Sequence, residues 1–376
     1  MKRFNKNEWK KVRLEECAYI NMGQSPASST YNVEQKGIPF YQGNADFGEL
    51  YPSIKYYCIN PIKTANSGDL LLSVRAPVGK INIATSYCCI GRGLCAIQAK
   101  ENKCYQKYLY YVLKSREKEF NMKGNGSTFK SINKNQILET SFYLPNLEIQ
   151  KKIILRLDNI LKILNKKKQQ LLELEKLSKC LFYSMFGDLE NNEKKWDKKT
   201  FGDICKVSQG LQIPISARKN QPGKNRYVYI TIQYLNGSKD AEYIENPKSN
   251  VICNKNDILM TRTGNTGMVI TNVEGVFHNN FFIVNFDRNI LIKEYLIFCL
   301  DSREIQGEIK KRAGSSTIPD LNHGEFYKIN IMLPPIELQN KFAERIRLIE
   351  KSKFEIQQSI DETQKLFDSL MEKYFG

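Results

Sequence analysis

Two stretches of the chain repeat an apolar side chain at alternating steps of three and four positions. The first stripe comprises Ile153, Leu157, Ile160, Leu164, Lys167, Leu171, Leu174, Ser178, Leu181 and Met185. The second comprises Phe342, Ile346, Ile349, Lys353, Ile356, Ile360, Thr363, Phe367, Leu370 and Tyr374. A stripe that continues over roughly four heptads is typical of a coiled coil, which favours two long helices that pack on other helices.

The ends of both helices are marked in the sequence. Pro145 and Pro335 lie at the predicted starts, and Gly187 and Gly376 follow the last apolar positions as natural C-terminal caps. A helix over 147–186 would be about 60 Å long at 1.5 Å per residue. We expect the two stripes to pair within one chain as an antiparallel coiled coil; an intermolecular coiled coil is the alternative. The polar Lys167 and Lys353 would fix the register or reach out to solvent.

The helix starts belong to an internal repeat that spans nearly the whole chain. The motif LPNLEIQ at Leu144 returns 189 residues later as LPPIELQ at Leu333. Trp9 and Gly23 correspond to Trp196 and Gly210 at a shift of 187 residues. Because the period is the size of a domain, each copy should have its own core.

Between the helices the pattern changes to short apolar runs separated by Gly, Asn, Pro and Ser, which predicts strands and tight turns. Helical patterns follow late in each copy, at 106–121 and 293–311. The sequence therefore predicts an α+β fold with two tandem-repeated α+β domains and two long helices that form an intramolecular antiparallel coiled coil. The predicted boundaries are 1–146 for the first domain, 147–187 for the first helical spacer, 188–334 for the second domain and 335–376 for the second spacer.

The composition indicates the kind of partner, the location and the state of the cysteines. The chain has 57 Lys and Arg against 40 Asp and Glu, a formal net charge of +17, and this excess favours a polyanionic partner such as nucleic acid. We expect a cytoplasmic location, because the chain has no apolar run long enough for a membrane span and starts without a secretory signal. The ten cysteines include no CxxC pair, and most of them are expected to be buried thiols.

The candidate nucleic-acid contacts are polar side chains in the predicted loops. Arg matches the acceptors of guanine, Asn and Gln match adenine, and Ser, Thr and Lys bind phosphates. The candidates in the first copy are Gln42, Asn44, Arg75, Arg92, Lys123, Asn125, Ser127, Thr128 and Lys130. Those in the second are Gln233, Asn236, Arg262, Asn265, His278, Asn279, Arg312, Ser315, Ser316 and Thr317.

The two copies differ most in these loops. SVRAPVG in the first copy corresponds to TRTGNTG in the second, whereas the Trp, Gly and Leu-Pro positions are kept. Different loops on one scaffold predict two different half-sites, and hence an asymmetric bipartite target.

These features together resemble the specificity subunits of type I restriction-modification systems. The resemblance rests on the tandem repeat, the LP-x-[LI]-E-[LI]-Q junctions, the GDLLLSVRAPVG and NDILMTRTGNTG segments and the Ser-Thr segment before each junction. It implies two target-recognition domains that each read half of a double-stranded DNA site, and helices that set the gap. It further implies two methyltransferase subunits and restriction-translocase subunits as partners, with S-adenosylmethionine, ATP and magnesium bound by them and no cofactor on this chain.

Enzymatic motifs are missing from the sequence. It contains no GxxxxGK[ST] loop, no GxGxxG fingerprint and no Asn/Asp-Pro-Pro-aromatic motif, and it has only two histidines. We therefore expect a non-catalytic subunit without a metal site. The alternatives are a stand-alone nucleic-acid-binding regulator with two recognition modules and a nuclease or methyltransferase fused to them.

Overall fold

A computed structural model describes residues 8–124, 131–314 and 319–376. In the first copy the strands and helices follow the order β1 (Lys10–Arg13), α1 (Leu14–Cys17), β2 (Ala18–Met22), β3 (Tyr31–Asn32), β4 (Ile38–Tyr41), β5 (Tyr56–Cys58), β6 (Thr64–Ala65), β7 (Leu70–Ser73), β8 (Ile81–Ile83), β9 (Cys88–Ile90), β10 (Leu94–Ala99), α2 (Gln106–Ser115), α3 (Glu117–Lys123), α4 (Lys134–Leu138), β11 (Ser141–Leu144) and α5 (Leu147–Phe186).

The second copy repeats this order without an equivalent of β3 and with one short helix added after its equivalent of β4. Its elements are β12 (Asp197–Thr200), α6 (Phe201–Ile204), β13 (Cys205–Gln209), β14 (Arg226–Ile230), α7 (Ile232–Leu235), β15 (Tyr243–Glu245), β16 (Ile252–Cys253), β17 (Ile258–Thr261), β18 (Val269–Thr271), β19 (Gly275–Phe277), β20 (Phe281–Phe286), α8 (Lys293–Leu300), α9 (Arg303–Ala313), α10 (His323–Tyr327), β21 (Asn330–Leu333) and α11 (Ile336–Phe375).

The four-stranded antiparallel sheets of the two copies match strand for strand. The order β2-β10-β7-β8 in the first copy corresponds to β13-β20-β17-β18 in the second, and all of these pairs are antiparallel. A second sheet in each copy contains one parallel pair, β4 with β9 and β14 with β19. This correspondence confirms the predicted α+β fold of two tandem repeats.

Contacts divide the chain into two units that do not follow the copy boundary. The first unit contains the described residues up to Lys168 together with Gln358–Gly376, and the second contains Gln169–Gln357. Each unit therefore holds the domain of one copy, the first half of the long helix that follows it, and the second half of the other long helix.

Within each unit the two helix halves run antiparallel, as predicted. In the first unit Arg156 Nη1 donates to the Tyr374 hydroxyl at 3.1 Å, and Lys167 Nζ donates to Thr363 Oγ1 at 3.2 Å. In the second unit Phe186, at the end of α5, packs on Phe342, near the start of α11, with ring centroids 5.2 Å apart. The stripes are thus satisfied within one chain.

The two polar stripe positions differ in what they bind. Lys167 also donates to the Ser359 carbonyl at 3.2 Å and to its hydroxyl, so it joins the two helices at one register. Lys353 instead donates to Glu350 on its own helix at 2.8 Å. Of the two lysines, Lys167 is the one whose bonds cross to the facing helix.

The end of each long helix inserts aromatic rings into a domain core. Phe186 lies 4.7 Å from Tyr295 in the second unit, and Phe375 lies 5.4 Å from Tyr108 in the first, centroid to centroid. Burial of one such side chain contributes about 1.5–3 kcal/mol. Near the end of α5 the fully buried positions are Phe182 and Phe186 rather than the predicted stripe residues Leu181 and Met185, because the helix there faces a globular core instead of a single helix.

The Gln at the end of each junction motif has the same structural role in both copies. Gln150 is fully buried; its Oε1 accepts from Tyr105 N at 2.9 Å and its amide donates to Pro145 O at 2.9 Å. Gln339 makes the equivalent bonds to Ile292 N and Pro334 O. Each Gln therefore ties the start of a long helix to the loop that precedes α2 or α8.

Two helices predicted as continuous are each divided in the structure. The 106–121 pattern forms α2 and α3, which separate at Arg116, whose Nη2 donates to the Phe375 carbonyl at 3.0 Å. The 293–311 pattern forms α8 and α9, which separate where the Ser302 side chain accepts from Ile305 N. At Ser302 a side-chain cap begins a new helix where apolar periodicity alone predicts a continuous one. Arg116 makes no such cap bond, and its guanidinium instead binds the end of α11.

All ten cysteines are free and nine are buried, which confirms their expected role as core thiols. Burial raises the pKa of Cys88 and of Cys205 to about 12, so neither is a reactive thiolate near neutral pH. Over the ranges that the structure describes, none of the helices is long and apolar enough to cross a membrane.

Candidate nucleic-acid interface

Loops from five parts of the first copy meet at one edge of its two sheets. Gly91 N donates to Tyr41 O at 2.8 Å, Val74 N to Gly93 O at 2.9 Å, and Ile132 N to Val74 O at 3.0 Å. Gln24 N donates to Ile90 O, which adds the 23–25 loop. We call residues 23–25, 41–43, 74–75, 91–93 and 131–132 the first loop surface.

The loops of this surface are packed tightly enough to need glycine. A Cβ at Gly93 would lie 2.5 Å from the Gln42 carbonyl oxygen, and one at Gly23 would lie 2.2 Å from Gly91 O. Glycine at both positions therefore allows the backbones to approach each other. The surface is fixed by its own backbone, so its exposed side chains start from defined positions.

Three of the predicted contact residues lie on the first loop surface. Gln42, Arg75 and Arg92 are all exposed there. The Gln42 backbone is held by the buried carboxylate of Asp46, whose Oδ2 accepts from Gln42 N at 2.7 Å. The structure thus brings together three residues that are separated by up to 50 positions in sequence.

The other candidates of the first copy lie elsewhere or outside the described residues. Asn44 is half-buried and begins a 3-10 turn over Asn44–Asp46. Lys123 is on the last turn of α3 and pairs with Glu119 at 2.6 Å. Asn125, Ser127, Thr128 and Lys130 lie outside the described residues.

The second copy builds the same surface with the same hydrogen bonds. His278 N donates to Ile230 O at 3.0 Å, Arg262 N to Asn280 O at 2.8 Å, and Leu321 N to Arg262 O at 2.9 Å. Leu211 N donates to Phe277 O, as Gln24 N does to Ile90 O. Residues 210–212, 230–231, 262–263, 278–280 and 320–321 form the second loop surface.

The matching bonds define which residues are equivalent. Arg262 occupies the place of Val74, so the residue equivalent to Arg75 is Thr263. By the same bonds, Arg92 corresponds to Asn279. Arg75 and Arg262 therefore occupy different positions on the two surfaces, in agreement with the alignment of SVRAPVG with TRTGNTG.

Arg262 is engaged by a carboxylate. Its Nε donates to Asp320 Oδ1 at 2.9 Å and its Nη2 to Asp320 Oδ2 at 2.8 Å, and only 18% of the side chain is exposed. Arg312 lies on α9 and pairs with both Glu308 and Glu325 at 3.2 Å. Bidentate pairing occupies the donors that a guanine would need.

Two further candidates of the second copy, His278 and Asn279, lie on the second loop surface. His278 is half-buried, and its pKa is lowered first by burial and then by the charge of Arg218; its Nδ1 accepts from Asn280 N at 3.0 Å. The Asn279 amide donates to Gln212 Oε1 at 3.3 Å. A neutral imidazole and two amides offer both donors and acceptors.

Gln233, Asn236 and Asn265 are exposed but lie beside the second loop surface rather than on it. Gln233 is on α7, and the Asn236 side chain after that helix accepts from Ser238 N at 3.0 Å. Asn265 follows the Arg262 loop. Ser315, Ser316 and Thr317 lie outside the described residues.

Sequence analysis missed four surface positions: Gln24, Gln212, Thr231 and Thr263. Gln24 and Gln212 are exposed and lie one and two residues after the matched glycines Gly23 and Gly210, respectively. That match was the available signal, because a kept glycine marks a close backbone approach. Across 8–124, 131–314 and 319–376, no group of three or more His, Cys, Asp or Glu is placed to hold a metal ion.

Known proteins share both the sequence pattern and the fold. The family model described as "Type I restriction modification DNA specificity domain" matches residues 6–175 and 193–364. The MjaIX specificity subunit of Methanocaldococcus jannaschii, a type I restriction enzyme subunit, is 26% identical over 337 residues, covering 81% of this chain and 76% of that protein. The EcoBI specificity subunit of Escherichia coli is 22% identical and covers 90% and 79%.

A relative named as the MjaX specificity subunit of M. jannaschii is 41% identical over 169 residues, but the alignment spans only 40% of that protein and 44% of this chain. Among solved structures, the type I restriction-modification S subunit of M. genitalium has the same fold, with a TM-score of 0.62 and 15% identity over 100% of this chain and 98% of that one. A structure from work on complex assembly of the type I R-M system gives a TM-score of 0.60 over 98% and 97%.

The two family matches fall on the two copies that the sequence repeat and the paired loop surfaces define. The chain therefore belongs to the family of type I restriction-modification DNA specificity subunits, and like its family it is non-catalytic.

Proposed function

We propose that the chain binds an asymmetric bipartite site on double-stranded DNA, with one half-site read by each loop surface. The observation that carries the proposal is the equivalence of the two surfaces. The same backbone bonds present Arg75 and Arg92 in one copy and Thr263 and Asn279 in the other. One scaffold with two sets of side chains is suited to two different short sequences.

The charge of the chain supports a nucleic-acid target. A formal net charge of +17 attracts a polyanion and speeds its encounter with the protein. Specificity then comes from the polar side chains at the loop surfaces, because base edges are read by hydrogen bonds in the grooves.

The long helices would set the gap between the half-sites. Half-sites read from one face of the duplex lie about one helical turn, roughly 34 Å, apart. Each 40-residue helix runs without interruption from one unit into the other, and the Lys167 bonds to Ser359 and Thr363 hold the pair at one register. Helices paired at one register would keep the gap constant.

The helices would also dock two methyltransferase subunits. Apolar side chains remain exposed on the long helices, among them Leu172, Leu348 at 68% and Phe354 at 64%. Exposed apolar side chains of this kind favour association with a partner protein. Restriction-translocase subunits would join that complex in the cytoplasm, and S-adenosylmethionine, ATP and magnesium would be bound by the partners.

Coexpression with a type I methyltransferase partner tests the proposal. In a host without other adenine methylation, single-molecule sequencing should find methylated adenines in one bipartite motif, and only when this chain is present. The chain should also copurify with the methyltransferase. Methylation without a bipartite motif, or DNA binding without any methyltransferase association, would reject the proposal in favour of a stand-alone regulator.

A further inference from the structure

Almost every arginine in the described parts of the chain is bound to another group. Arg218 pairs with Glu242 at 3.0 Å, Arg226 with Glu245 at 3.3 Å and Arg347 with Glu294 at 2.7 Å, and the others have similar partners. Within 8–124, 131–314 and 319–376, the guanidinium groups without a hydrogen bond or ion pair belong to Arg75, Arg92 and Arg345.

Two of these three arginines are neighbours on the first loop surface. The 2.9 Å bond from Val74 N to Gly93 O joins the residue just before Arg75 to the residue just after Arg92. Both side chains are exposed. The surface therefore presents two unoccupied guanidinium groups from adjacent loops.

No carboxylate neutralises this pair from within the surface. None of the segments 23–25, 41–43, 74–75, 91–93 and 131–132 contains Asp or Glu. The nearby Asp46 is buried and directed to the backbone of Gln42 and Gly43, and Lys55 pairs with it at 3.5 Å. The structure leaves the guanidinium donors of Arg75 and Arg92 available to a ligand.

The equivalent positions of the second loop surface have different chemistry. Thr263 replaces Arg75 and Asn279 replaces Arg92, while the neighbouring Arg262 is engaged by Asp320. A guanidinium fork matches O6 and N7 of guanine, whereas an amide matches N6 and N7 of adenine. The two surfaces therefore differ in the base that they can recognise.

We propose that Arg75 and Arg92 each read one guanine in the half-site of the first copy, and that the second copy reads its half-site without an arginine. This inference rests on the proposed function, because it assigns bases to the bipartite site. Recognition of the first half-site would then depend on the N7 and O6 acceptors of guanine.

The first test is the methylation motif of single variants. Arg75→Ala and Arg92→Ala should each relax one guanine position, both in the same half-site, and leave the other half-site unchanged. Discrimination at the affected position should fall roughly 10- to 100-fold. Arg13→Ala removes an exposed arginine from the same unit outside the loop surface and should leave the motif as it is.

The second test identifies the acceptor on the base. Duplexes that contain the motif with single guanines replaced by 7-deazaguanine lack the N7 acceptor, and the wild-type complex should methylate them more slowly. The matching arginine variant should show no further loss on the same duplex. Arg75→Lys and Arg92→Lys keep the charge without the fork, and they decide the question if an alanine variant does not fold.

The outcomes separate this inference from the proposed function. If the wild-type complex yields no bipartite motif, the proposed function fails. If the motif appears but neither half-site contains a guanine that depends on Arg75 or Arg92, only this inference fails. A uniform loss of methylation at all sites in the variants would assign the two side chains to phosphates and would likewise overturn it.

Discussion

Arg262 and Arg75 show that one residue type serves different roles on the two loop surfaces. Arg262 binds Asp320, which lies 58 residues later in the chain, through two short bonds. Arg75 is exposed and its guanidinium has no partner among the described residues. The position that an arginine occupies relative to a carboxylate therefore decides whether it can contact a base.

Arg262→Ala should destabilise the protein without changing the bases that it reads. Loss of the partly buried pair with Asp320 should lower the free energy of unfolding by about 1 kcal/mol. Urea unfolding of the purified chain measures the loss, and Asp320→Asn should give a similar one. Relaxation of one base position in the methylation motif would show instead that Arg262 reaches a base.

The two histidines should make stability depend on pH. Burial lowers the pKa of both His278 and His323, with a further contribution from Arg218 and Arg262 respectively. In the unfolded chain they titrate near pH 6.5. Below about pH 6.5 the unfolded state therefore binds more protons, and the free energy of unfolding should fall until the lower folded pKa is reached.

A His278→Asn, His323→Asn double variant should lose this part of the pH dependence. Urea unfolding between pH 7.5 and roughly pH 5 would measure it. An unchanged slope in the double variant would contradict the assignment.

At the scale of elements, each long helix docks on its own preceding domain through an ion pair of opposite polarity. Lys107 on α2 pairs with Asp158 on α5 at 3.5 Å, whereas Glu294 on α8 pairs with Arg347 on α11 at 2.7 Å. In the internal repeat Lys107 corresponds to Glu294, and Asp158 corresponds to Arg347. A helix docked on the wrong copy would therefore meet a like charge, which disfavours exchange between the two repeats.

A double-mutant cycle on Glu294 and Arg347 tests this pairing. Arg347→Glu should lower the free energy of unfolding by about 0.5 to 1 kcal/mol, because most of the Arg347 side chain is exposed and screened. Glu294→Arg combined with Arg347→Glu should recover most of the loss. Strictly additive effects of the two changes would show that the pair does not contribute.

At the scale of the whole molecule, each unit combines a domain with halves of both helices. The helix ends insert Phe186 into the core with Tyr295 and Phe375 into the core with Tyr108. Both long helices thus contribute to each unit. If the helices set the gap as proposed, the gap of the recognised site should change with helix length.

Insertion of one heptad into both helices, after Lys168 and before Gln358, should lengthen the gap of the recognised site. Seven residues add about 10 Å of helix, equal to about three base pairs. Methylation motif sequencing should find the same half-site bases with a wider gap. Insertion into one helix alone is the control and should prevent assembly, because it shifts one stripe against the other; changed bases with an unchanged gap would reject the proposed role of the helices.

Local sequence determined much of the fold. Apolar periodicity and the flanking Pro and Gly residues gave the first long helix its observed bounds, Leu147–Phe186, because periodicity and caps act over a few residues. The internal repeat predicted that the two domains correspond, because the same motifs recur in both copies. The local sequence pattern also placed Gln42, Arg75 and Arg92 in loops. A local pattern cannot determine which of these side chains lie close together.

Only the tertiary structure decided how distant residues combine. It divided the first of the late helical patterns at Arg116, brought Arg75 beside Arg92, and paired Arg262 with Asp320. Each of these outcomes depends on contacts between segments far apart in sequence, whose energies no local pattern contains. The sequence by itself determined the elements and their duplication, and long-range packing decided which side chains remain free to bind.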